Sequence, residues 1–202
     1  MSGTSTGIRG LHHPAFATSD MDRTVRFWRD LLGLSLGVTL KEDGERQYFF
    51  ALNDTVFVVF FEWPEVEPVP YHHPGMPVKG PKIFDHLCLE MEDEESQWAL
   101  VAQLEDNGFP VTDAVDHGLV RSVYTFDPNG IPLEFTLRNP ATDPAHTPVL
   151  ADPAPGPAAA EGSAPGDGGW AAGEPIAEDD RIVTAGSGHG AFPPFPGKAE
   201  PL

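Results

Sequence analysis

The chain repeats itself. "LHHPAFATSDMDRTVRFWRDLLGLSLG", residues 11–37, and "FDHLCLEMEDEESQWALVAQLEDNGFPV", residues 84–111, share one order of signals: a short strand, a capped helix, a glycine stop. The offsets between the copies are nearly equal. His13 and His86 lie 73 positions apart, Gly33 and Gly108 75, and Glu62 and Glu134 72. In the first copy Ser19 is expected to cap a helix with Asp22 at its third position, Met21, Val25, Trp28, Leu31 and Leu32 on one face, and Gly33 as the stop. In the second, Asp93 is the expected cap of a helix with an acidic first turn, Trp98, Val101 and Leu104 in register, and Gly108 at the end. Strand-rich sequence follows each helix: "RQYFFALN" and "TVFVVFFEW", then "RSVYTF" and "IPLEFTL". The pattern predicts an α+β domain over residues 8–138, built from two βαβββ modules at about 8–66 and 82–138. The modules are expected to form a curved mixed sheet around one cleft.

From residue 141 the composition changes. This tail holds 11 of the 22 prolines and 10 of the 21 glycines, with no hydrophobic period to build a core, so 141–202 is expected to be disordered. The formal net charge is −19, which repels phosphate backbones and anionic lipid and argues against a nucleic-acid partner. No run approaches the ~18 apolar residues of a membrane span, and "MSGTSTGIRG" has no apolar signal-peptide core. The single cysteine, Cys88, excludes an internal disulfide framework. The expected compartment is the cytoplasm.

Strand alternation says where the polar groups of module two point. Leu133, Phe135 and Leu137 share one face and Glu134 and Thr136 the other, while Leu87, Leu89 and Met91 oppose His86 and Cys88. The apolar rows can pack on a helix, which turns the histidine and glutamate toward a cavity. Imidazole nitrogen and carboxylate oxygen together suit a divalent transition metal: Fe, Mn, Co, Ni or Zn. Two histidines and one carboxylate would leave positions open for a substrate.

These stretches, with "YTFDPNGIPLEF", resemble the vicinal oxygen chelate superfamily, which includes glyoxalase I, fosfomycin and bleomycin resistance proteins and type I extradiol dioxygenases. The resemblance covers about residues 10–138. It implies paired βαβββ modules around one metal, with His13, His86 and Glu134 as ligands. By position Glu62 resembles the fourth ligand and proton-transfer base of glyoxalase I, which points to isomerase or lyase chemistry. Tyr124 points elsewhere, because extradiol dioxygenases carry a tyrosine ten residues before the metal-binding glutamate. His117, seven residues before Tyr124 where those enzymes place an "HG" nine before, is the candidate acid/base. The leading expectation is an Fe(II)-dependent dioxygenase acting on a small-molecule substrate with two adjacent oxygens. A Glu62-dependent isomerase or lyase stands second and a drug-sequestering protein third, and a homodimer is the expected assembly. Phe16, Phe60, Phe126 and Trp63 are candidate cavity walls. His72 and His73 are assigned to solvent, Cys88 to a buried apolar position, and "AFPPFPG" near the end is a candidate docking motif.

Overall fold

Strand β1 (Ala15–Thr18) and helix α1 (Met21–Val25) open the first module. The structure is a computed structural model and describes residues 7–42, 44–80, 84–165 and 173–185. The cap of α1 is Asp20, one residue later than expected, its carboxylate accepting the Arg23 N–H at 2.9 Å. The helix then widens into a π-helical segment, Arg26–Leu31, which ends with Leu32 N–H on the Phe27 carbonyl at 2.9 Å. This wider turn brings Phe27 and Trp28 inward beside Met21, Thr24 and Val25. Strands β2 (Ser35–Glu42), β3 (Glu45–Ala51) and β4 (Phe57–Glu62) complete the module.

Module two repeats the plan with β5 (Leu87–Glu90), α2 (Glu94–Asp106), the short β6 (Val115–Asp116), β7 (Val120–Phe126) and β8 (Pro132–Arg138). Asp93 caps α2 as expected, accepting the Ser96 N–H at 2.8 Å. Its buried face differs from expectation. Gln97 is buried beside Val101 and Leu104 while Trp98 is exposed. The Gln97 amide donates to the Phe135 carbonyl at 2.9 Å, a task an indole on this turn could not share with the helix's apolar packing.

Each module forms its own four-stranded mixed sheet, in the orders β1-β4-β3-β2 and β5-β8-β7-β6. In each the first strand runs parallel to the last at one edge of the sheet, and the remaining pairs are antiparallel. One apolar core joins the two modules: Trp28, Phe50 and Phe60 from the first meet Leu104, Val123 and Phe135 from the second. Phe60 and Phe135 face that core, so the opposite faces of both sheets point away from it.

The turn "DPNG" is a fastening point. Trp28 Nε1 donates to the buried Asp127 at 3.3 Å, and Thr18 Oγ1 donates to Asn129 at 2.7 Å. Val69, in the connection between modules, donates its N–H to the Asn129 carbonyl at 3.0 Å. Gly130 has φ +80°, and a Cβ there would lie 2.2 Å from the Val69 carbonyl oxygen, so both conformation and clearance demand glycine.

The described residues divide into two compact units, one ending at Pro155 and the other beginning at Gly156. Beyond residue 141 the described tail has only two single 3₁₀ turns, Ala159–Glu161 and Glu178–Asp180. The "AFPPFPG" segment lies outside the described residues. No described helix is long and apolar enough to cross a membrane.

Candidate metal centre

The outward face of module two carries a continuous polar chain. Glu134, in the middle of β8, pairs in register with Tyr124 on β7 and with Cys88 on β5. His86 stands just before β5, and its Nε2 lies 2.7 Å from Glu134 Oε2. Tyr124 donates its hydroxyl to the other carboxylate oxygen, Oε1, at 3.1 Å. His117 Nε2 is 2.8 Å from the same hydroxyl. The structure thus brings four of the six expected site residues together, and period-two alternation is the reason.

Asp85 is an addition that the sequence did not flag. Its Oδ1 lies 2.7 Å from His86 Nδ1, so both ring nitrogens of His86 face carboxylates. A neutral imidazole has one N–H to donate. The arrangement is satisfied by an imidazolium, or by a cation shared between Nε2 and Glu134 while Asp85 holds the Nδ1 proton. The second arrangement is the second-shell pattern that orients ligating histidines.

The surroundings set the protonation states. Partial burial works to raise the Glu134 carboxyl, but hydrogen bonds from Ser122, Cys88 and Tyr124, helped by His86, prevail and hold it below the ordinary glutamate range. Desolvation, followed by the charge and hydrogen bond of Glu134, pushes the Tyr124 phenol up to about 12. Near neutral pH Tyr124 is therefore a proton-bearing donor. Cys88 is exposed where a buried position was expected, yet the sheet around its sulfur desolvates it enough, together with Glu134, to push the thiol up to about 12. It is a poor thiolate ligand for that reason.

Module one contributes less. His13 is exposed beside His12, with the two Nδ1 atoms 2.7 Å apart, and its ring is 6.0 Å from that of Phe49. Glu62 is elsewhere. Its register partners are Thr18 and Arg46, it shares the core-facing side of β4 with Phe60, and both its oxygens are engaged. Oε1 accepts the Met21 N–H at 3.0 Å, and Oε2 pairs with Arg46 Nη1 at 2.7 Å. The register puts Glu62 three residues past Val59, the position that matches Glu134, and an odd number of residues reverses the face of a strand. Of the expected cavity walls, Phe60 lies in the core, Trp63 stacks on Phe61 at the surface, and Phe126 meets Tyr71.

In kind, His86 and Glu134 fit a divalent transition metal. In number they are a half-site, since among the described residues no three His, Cys, Asp or Glu side chains are grouped to hold an ion.

The profile of the Glyoxalase/Bleomycin resistance protein/Dioxygenase superfamily matches residues 10–135. The chain belongs to this superfamily. Solved structures agree on the fold of these modules. The chain is similar to a glyoxylase/bleomycin resistance protein/dioxygenase domain from Frankia sp. EAN1pec (19% identity, TM-score 0.55, covering 66% of this chain and 100% of that one). It is likewise similar to a glyoxalase/dioxygenase from Nostoc punctiforme (22% identity, TM-score 0.52, 69% and 98%). An antibiotic-binding protein from Streptomyces sp. CB03234 shares the fold at 18% identity, with TM-score 0.50 over 67% of this chain and 100% of that one. The sequence matches no curated protein. The superfamily thus spans enzymes and binding proteins, and the side chains of the site must separate them.

Proposed function

We propose that this chain is a metal-dependent enzyme acting on a substrate with two adjacent oxygens, and that its reaction is extradiol-type dioxygenation with Fe(II). The observation that carries the reading is Tyr124 seated between Glu134 and His117. The isomerase or lyase alternative gives proton transfer to Glu62, whose oxygens are committed to Met21 and Arg46 on the other side of its sheet.

His86 and Glu134 would hold the ion together with a third ligand, His13. Within one chain the faces bearing His13 and Glu134 both point away from the shared core. In this reading His13 comes from a second copy, and a two-fold homodimer forms two equivalent sites. The ion, when bound, supplies Lewis acidity to a chelated hydroxyl and, as Fe(II), access to dioxygen. Tyr124 donates to a substrate oxygen and stabilises negative charge developing there. His117, exposed and in contact with the phenol oxygen, passes protons between that phenol and solvent.

Oxygen uptake by anaerobically Fe(II)-loaded protein tests the reading with a panel of catechols and other vicinal diols. Uptake that follows the substrate and disappears in Glu134→Ala is expected. Turnover without oxygen on Ni, Co or Zn would replace the reading with lyase or isomerase chemistry. A stoichiometric complex that survives Glu134→Ala would replace it with sequestration.

A further inference from the structure

A chelated substrate has a remainder that the ion does not hold, and the charges on the strands limit what that remainder can be. Four basic residues lie in the strands: Lys41, Arg46, Arg121 and Arg138. Three of them face the core side. Lys41 pairs in register with Arg46, Arg46 reaches Glu62 on the side that Phe60 occupies, and Arg121 shares its face with the core residue Val123. Arg138 does share a face with Glu134, but its Nε and Nη2 are bonded to the two oxygens of Glu90. Among the described strand residues, then, no unpaired cation lies on the outer face of either sheet.

The wall that accompanies His13 is apolar. The ring of His13 is 6.0 Å from that of Phe49, which is 6.1 Å from Phe57. Val38 pairs with Phe49 in register and is 39% exposed, so the wall continues to the edge of the sheet. Glu42 and Glu45, partners at the far end of the same face, add negative charge to it. A carboxylate or phosphate held here would lose water without gaining a partner, beside Glu134 and in the field of a chain at −19. An ammonium would escape the repulsion but not the desolvation against Phe49.

We propose that the site selects substrates whose part beyond the two chelating oxygens is uncharged and apolar, and rejects those that carry a carboxylate or phosphate there. This selectivity rests on the chelation reading above, since His13 brings its own wall to the ion.

Anaerobic titration calorimetry on the Co(II)-loaded full chain tests it with three catechols of similar skeleton: 4-propylcatechol, dihydrocaffeate, which ends in a carboxylate, and dopamine, which ends in an ammonium. 4-Propylcatechol is expected to bind at least ~10-fold more tightly than dihydrocaffeate and at least ~3-fold more tightly than dopamine, because an unpaired charge against an apolar wall is costly. Val38→Lys, a change at an exposed position of the wall, should narrow the gap to dihydrocaffeate by at least ~3-fold and leave 4-propylcatechol unchanged. Melting curves confirm that the variant is folded. Equal or tighter binding of dihydrocaffeate overturns the selectivity and leaves chelation standing; if that advantage disappears in Arg9→Gln, the cation is Arg9, exposed in the lead-in four residues before His13. Tighter binding of dopamine overturns the apolar wall, and a Val38→Lys chain with wild-type selectivity overturns its placement on module one. A chain that holds Co(II) but binds none of the three overturns the chelation reading itself, and the selectivity with it.

Discussion

The two modules share one sheet plan and differ in the side chains on its outer face. Across β5, β8 and β7 one rung of module two reads Cys88, Glu134, Tyr124. The matching rung across β1, β4 and β3 of module one reads Ala15, Val59, Phe49. The histidine two residues before the first member of each rung is the polar group they retain in common: His86 and His13. The register therefore puts Val59, not Glu62, in the place of Glu134. A duplicated scaffold needs only one rung of acid and phenol to make a site if the second copy of the fold supplies a single imidazole, and the apolar rung is free to become wall.

The comparison is tested most severely at its two glutamates. If Glu134 is the ligand proposed above, Glu134→Ala should weaken Co(II) binding, read from visible absorption, by at least ~100-fold, since outer-shell changes alone cost 10–100-fold. Glu62→Gln should leave that affinity within a factor of two and instead lower stability by about 1 kcal/mol in urea unfolding, through the helix N-terminus and Arg46. Equal losses of metal in both variants would erase the asymmetry.

Mixing sharpens the role of His13. His13→Ala and Glu134→Ala chains, each inactive alone, should regain about a quarter of the wild-type activity after dissociation and re-association, since half the two-fold dimers are mixed and one of their two sites is intact. No recovery would mean that His13 and Glu134 serve one chain. Installing the missing acid, Val59→Glu, should cost about 3 kcal/mol of stability, because the position is fully buried among apolar neighbours. A near-neutral result would show that module one could host its own polar rung.

The smallest effect concerns Tyr124. Its folded pKa of about 12 lies above the ordinary value near 10, so the contribution to stability is fully present below pH 10 and is lost as pH rises through 12. Absorbance at 295 nm should show one phenolate appearing late in wild type, and Tyr124→Phe should remove that late step.

What the sequence disclosed was whatever depends on strict alternation. Glu134 opposite Leu133 and Phe135, and Tyr124 ten residues upstream across a four-residue turn, could be placed because a hairpin leaves no freedom in register. The same rule places Glu62 on the other face: a repeat offset read from residue types alone tolerates a slip of three, and on a strand any odd slip changes the face. Gln97 in place of Trp98 was hidden because hydrophobicity ranks an indole inside, while the sheet's open carbonyls called for an amide. Asp85 and His72, the latter half-buried rather than in solvent, were hidden for another reason. Both sit in irregular backbone near the module connection, where side-chain direction follows from turns such as the Gly75 N–H on Asp85 at 2.8 Å. The π-helical turn left no mark because its hydrogen-bond spacing changes no residue preference strongly.

The parallel pairing of first strand with last has a consequence for how the protein comes into being. Helix α2 and the β7–β8 hairpin can form from neighbours in sequence, whereas the β5–β8 ladder must close the whole module on itself, the slower kind of contact. His86 meets Glu134 only when that ladder closes. During synthesis the histidine emerges well before its acid, so the pairing of His86 with Glu134 is completed at the end of folding rather than along the way.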